Sequence, residues 1–74
     1  MNGEEVRRIR EKLGLSRQDF AKLFCLSTYN SVMNIETDFR KPGKLIIRIL
    51  RYLDSLSKKR ALELIEEFNR HEPK

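Results

Sequence analysis

Ser16-Arg17-Gln18-Asp19-Phe20-Ala21-Lys22-Leu23-Phe24-Cys25-Leu26-Ser27-Thr28-Tyr29-Asn30-Ser31-Val32-Met33-Asn34-Ile35-Glu36 decides the fold. It reads as two short helices joined by a tight turn. Ser16 is an N-cap residue, and Asp19, at the third helical position, can return a hydrogen bond to the Ser16 N–H. Leu15 before the cap and Phe20 at the fourth helical position suit a hydrophobic staple. Phe20, Leu23 and Phe24 share one face, while Ala21 lets a second helix come close. After Cys25-Leu26, Ser27-Thr28 is a second start signal. Val32 and Ile35 then face inward, and Asn30, Met33, Asn34 and Thr37 form the opposite stripe. Two readings of that stripe stand: a solvated polar face, or carboxamides suited to base edges, since Asn can pair with adenine at two points.

The order of these signals is more specific than any one of them. Gly14-Leu15-Ser16, Phe20-Ala21, Val32-x-x-Ile35-Glu36 and Arg40-Lys41-Pro42 together resemble the helix-turn-helix core of the lambda-repressor-like (Cro/CI, XRE) family. The resemblance covers roughly Val6 to Leu53. It implies an all-α, five-helix domain that binds double-stranded DNA with the helix at about residues 28–37 in the major groove. It also implies base contacts from Tyr29, Asn30 and Asn34, with Thr28 or Ser31 near the flanking phosphate. Arg17 would meet a phosphate beside the first turn of the second helix, and Arg40, Lys41 and Lys44 would hold the backbone on the other side. In the family's pattern an arginine at Arg10 pairs with the glutamate ending the recognition helix, here Glu36. Such a pair is structural; the alternative is an exposed Arg10 on a charged helix, and the pair is preferred.

Three departures from the family pattern carry expectations of their own. The family usually has glycine where Cys25 stands, so either the turn is built differently or Cys25 is a small buried group; the second is preferred, with the thiol inert. The spacing from the turn to Glu36 is one residue longer than usual, which Ser27 absorbs if Thr28 is the cap. Glycine is also usual where Asp38 stands, and Asp tolerates a left-handed backbone. Phe39 is expected to anchor its loop on the core rather than to wedge between base pairs.

Around this centre the chain reads simply. Asn2 or Gly3 opens a first helix with Glu4 and Glu5 at its positive end; Val6, Ile9 and Leu13 form its buried stripe, and Gly14 ends it. Lys44 to Ser55 is a helix with a wide apolar face (Leu45, Ile46, Ile49, Leu50, Leu53, then Leu56) and with Arg48, Arg51 and Asp54 on its polar side. Ser57 caps a fifth helix, about 58–70, bearing Leu62, Leu64, Ile65 and Phe68. Leu62 and Ile65 are expected to close the core, leaving Leu64 and Phe68 for contact with a second copy.

The bulk numbers bound the rest. Seventy-four residues make one domain with a modest core. Sixteen Lys+Arg against eleven Asp+Glu leave a net charge of +5, which suits a polyanionic partner. The excess is spread along the chain, so it is not a basic tail. One cysteine makes no internal disulfide and suits a reducing compartment. Charges at Glu4, Glu5, Arg7 and Arg8 interrupt any signal-peptide pattern, and no stretch is long enough to span a membrane.

With one His, one Cys and no glycine-rich phosphate loop, neither a catalytic constellation nor a metal or cofactor site is expected. The function that the resemblance implies is that of a small cytoplasmic DNA-binding repressor of a prokaryotic, plasmid or phage promoter, acting by occupancy as a homodimer on a palindromic operator. The competing expectation is an antitoxin resembling the HigA type, which binds a toxin protein as well as its operator; a third is the same fold used purely as an adaptor, with no DNA binding.

Overall fold

The computed structural model describes residues 1–73 and consists of five helices. They are α1 (Gly3–Lys12), α2 (Arg17–Leu23), α3 (Tyr29–Glu36), α4 (Lys44–Ser55) and α5 (Lys58–Arg70). Among the described residues there is no strand. Among the described residues no helix is long and apolar enough to cross a membrane.

Side-chain caps explain most of the helix starts. Asn2 Oδ1 accepts the Glu5 N–H at 2.9 Å, opening α1. At α2 the box is complete: Ser16 Oγ accepts the Asp19 N–H at 3.0 Å, and Asp19 Oδ2 accepts the Ser16 N–H at 3.2 Å. Ser57 Oγ accepts the Arg60 N–H at 3.3 Å at the head of α5. Thr28 caps α3 through its extended backbone alone.

The first two helices end the same way, and their likeness corrects the expectation for Cys25. After α1, the Gly14 and Leu15 N–H groups donate to Glu11 O and Arg10 O at 3.0 and 3.1 Å, with Gly14 left-handed at φ +72°. After α2, the Cys25 and Leu26 N–H groups donate to Lys22 O and Ala21 O at 3.3 and 2.8 Å, with Cys25 at φ +56°. Both are Schellman closures, which need one left-handed residue. Cys25 is therefore exposed in the position a glycine would fill, not buried. Its place in the turn, rather than its apolar character, decides where the thiol points.

One buried cluster joins all five helices: Val6, Ile9 and Leu13; Phe20 and Ala21; Val32 and Ile35; Leu50 and Leu53; Ala61 and Ile65. The Phe20 and Phe24 rings lie tilted with centroids 4.6 Å apart, a favourable aromatic geometry. α3 packs chiefly on α2 and α1, α5 on α2, and α4 on α1.

Three apolar residues depart from the positions their sequence pattern predicts. Leu62 is exposed at 38 %, and Ala61 takes the core position beside Ile65. The two buried residues are one turn apart, and alanine is small enough for α5 to approach α2 closely. Leu45 is exposed at 67 %, because the core covers only the Leu50–Leu53 side of the wide α4 face. Phe39 is exposed at 82 % and anchors nothing. The preceding residue, Asp38, is left-handed at φ +63°, with its Oδ1 accepting the Gly3 N–H at 2.8 Å. That bond turns the chain so that Phe39 faces outward.

Candidate nucleic-acid interface

The site is built around Glu36, the last residue of α3. Its carboxylate side chain is 3 % exposed and receives two arginines. Arg10 of α1 donates from Nε to Oε2 at 2.5 Å and from Nη2 to Oε1 at 3.4 Å. Its Nη1 donates to Leu15 O at 2.9 Å, so all of its nitrogens are engaged. Arg10 and Glu36, expected as partners, thus meet. Arg17 of α2 also donates, from Nε to Glu36 Oε1 at 3.1 Å. Gly3 seals the same corner: a Cβ on it would overlap the Ile35 and Glu36 carbonyl oxygens. Together these contacts fix the end of α3 against α1 and α2.

With that end held and Val32 and Ile35 buried, the opposite face of α3 is presented to solvent. Tyr29 is exposed at 46 %, and Asn30 is exposed as well. Asn34 is half-buried. Among the described residues neither carboxamide has a hydrogen-bond partner, so both keep donor and acceptor capacity for an outside ligand. Met33 completes the stripe, but the Thr37 hydroxyl turns back to donate to Met33 O at 2.8 Å. Thr28 makes no side-chain cap bond. Ser31 Oγ lies 3.5 Å from Ser27 Oγ.

The cations fall into two groups once ion pairs are assigned. Arg7, Arg8, Lys12, Arg60 and Arg70 each face a carboxylate, as do Arg10 and Arg17. Arg40, Lys41 and Lys44, the expected phosphate contacts, are exposed and, among the described residues, pair with no acid. Arg48 and Arg51, on the polar side of α4, are likewise exposed and, among the described residues, pair with no acid. Lys44, Arg48 and Arg51 recur at helical spacing on the outer face of α4, so this uncompensated row continues the one that begins in the loop. Residues 39–53 contain no acidic side chain. Lys22, Lys58 and Lys59 are likewise exposed and, among the described residues, pair with no acid, so what sets this row apart is the gap in the acids that the sequence already shows.

The C-terminal end of α4 is neutralised. Asp54 accepts Lys12 Nζ at 2.9 Å and Arg8 Nη2 at 3.2 Å, tying α4 to α1. These hydrogen bonds, Lys12 first and Arg8 second, hold the Asp54 carboxyl below the usual carboxylate range. The residues expected to meet a second copy lie on α5: Leu64 packs partly against the core, and Phe68 remains 47 % exposed.

Comparison with family models, with curated proteins and with solved structures gives no match. The functional reading therefore rests on the geometry of this face.

Proposed function

We propose that this protein is a sequence-specific double-stranded-DNA-binding regulator, a small repressor that reads the major groove with α3. The observation that carries the reading is the outward stripe of α3, with the unpartnered carboxamides of Asn30 and Asn34. Groups that satisfy no partner within the fold are the ones free to read base edges. Tyr29 lies in the first turn beside Asn30. Thr28 and Ser31 lie at the start of α3, and the Arg40 N–H donates to Asn34 O at 2.9 Å; together with Lys41 and Lys44 they would supply phosphate contacts, which fix register without reading sequence. A single domain of this size covers one half-site. Two copies with recognition helices about 34 Å apart fit consecutive major grooves on one face of DNA. A palindromic operator and a homodimer in the cytoplasm follow from this reading.

Replacing Asn30 or Asn34 with Ala tests it. Each change costs roughly 1–3 kcal/mol on the preferred sequence and relaxes preference at one position per half-site, while non-specific affinity holds. Binding of both variants with an unaltered sequence preference would rule the assignment out. The exposed apolar residues of α4, Leu45 and Tyr52, favour a second reading in which a protein partner, such as the toxin of a toxin–antitoxin pair, binds alongside DNA.

A further inference from the structure

Glu36 is already neutralised without Arg17. Arg10 reaches both of its oxygens and is itself buried, at 8 % exposure, so that pair is complete as a structural element. Arg17 adds a second positive charge to a carboxylate that does not need one. Its side chain is 37 % exposed, against 10 % for Arg10, so the two arginines on Glu36 are in different environments. Arg17 binds through Nε alone. Among the described residues its two terminal nitrogens donate to nothing.

A guanidinium is a planar fork whose donors point in fixed directions. Anchoring Nε fixes the plane and leaves the Nη1–Nη2 end directed away from the carboxylate. That end matches two oxygens of a phosphate. The triad of Arg10, Glu36 and Arg17 carries a net charge of +1, and that charge resides on the exposed fork.

We propose that Glu36 is a positioning residue for nucleic-acid binding: it holds Arg17 with its terminal nitrogens presented to a backbone phosphate. The inference rests on the DNA-binding reading and adds a mechanism for one contact within it. Holding the fork in advance reduces the side-chain freedom given up when the phosphate arrives. It also makes arginine irreplaceable at this position. A lysine has a single charged nitrogen on a shorter stem, so Glu36 would capture the group that must reach the phosphate. At Arg40, where no carboxylate competes, lysine serves as well as arginine.

The experiment measures duplex affinity against salt concentration for the wild type, Arg17→Ala, Arg17→Lys and Arg40→Lys, on one mixed-sequence duplex. Melting temperatures are taken alongside. Arg10 still satisfies Glu36 in every variant, so the fold is retained. Removing one phosphate interaction flattens the log–log salt slope by about 0.9. The expected result is that Arg17→Ala and Arg17→Lys both show that flattening, while Arg40→Lys keeps the wild-type slope. A wild-type slope for Arg17→Lys overturns the role of Glu36, because charge alone would then suffice. A wild-type slope for Arg17→Ala overturns the phosphate contact itself. Flattening by Arg40→Lys as well would mean that lysine substitutes poorly everywhere, which also removes any special role for Glu36. If the wild type binds no duplex, the DNA reading fails and the proposal with it; the preceding outcomes, in which the wild type does bind, overturn the proposal alone.

Discussion

At Cys25 the backbone is left-handed, at φ +56°, and the side chain is exposed. That conformation costs an L residue with a Cβ roughly 1–2 kcal/mol, and glycine avoids the cost. Glycine in turn loses more freedom on folding, by up to about 1 kcal/mol. Cys25→Gly is therefore expected to leave stability unchanged or to raise it by up to about 1 kcal/mol, read as a higher urea midpoint at constant slope. A clear loss of stability would mean that the thiol makes a contact the turn depends on. Asp38 occupies the equivalent place after α3 but is not equivalent in chemistry. Its Oδ1 accepts the Gly3 N–H at 2.8 Å, so a glycine there would relieve the backbone and remove a bond between α1 and the α3–α4 loop. The two left-handed residues differ in what their side chains do, and only Cys25 is dispensable on that ground.

Among the elements, α3 depends most on its neighbours. It has eight residues, short for a helix standing alone, and Glu36 joins it to both α1 and α2. Removing the carboxylate in Glu36→Ala leaves the buried Arg10 guanidinium without its partner, which costs roughly 3–5 kcal/mol. Adding Arg10→Met removes the stranded charge and recovers part of the loss, a non-additivity that a double-mutant cycle in thermal melts reads directly. Strictly additive losses would mean that the two residues act independently. The seam between α1 and α4 responds to pH instead. Lys12 and Arg8 hold the Asp54 carboxyl below its ordinary range, so its contribution is present above that range and fades as pH falls through the depressed value, below about pH 4. The stability gap between wild type and Asp54→Asn is expected to be largest near neutrality and to close as pH falls below the ordinary carboxylate range. A gap that does not change with pH would show that the ion pairs add nothing. The group is partly exposed, so the gap itself is small.

The helices are largely legible in the sequence because their boundaries are local chemistry: Ser16 with Asp19, Ser57, and Gly14 each act within a few residues. The carboxamide stripe is legible too, since Asn30 and Asn34 are one turn apart on one helix. What periodicity does not report is which neighbour will cover a given flank. Leu45 lies in an unbroken apolar pattern and is still exposed, because α4 meets the rest of the fold only on its Leu50–Leu53 side. Hydrophobicity favours Leu62 for the core, yet Ala61 fills it, since close helix approach selects for small volume. The Arg17–Glu36 bond and the fit of Gly3 against Glu36 join separate helices and leave no mark in any local pattern.

For the whole molecule, the decisive quantity is where charge remains after the fold has paired it. Once the ion pairs are assigned, Arg40, Lys41, Lys44, Arg48 and Arg51 form a run of exposed cations that no acid interrupts, in addition to the unpaired Lys22, Lys58 and Lys59. In the proposed function that run would steer a polyanion toward the molecule without choosing among sequences, and choice would belong to α3. The two roles are separable in a single measurement: incubate the protein with a random pool of duplexes at about 0.15 M salt, recover the bound fraction through several rounds, and sequence it. The account predicts enrichment of one motif, arranged as a palindrome with half-sites about one helical turn apart. Recovery of duplex with no enriched motif would leave the cationic row as a non-specific binder, and would contradict sequence reading by α3.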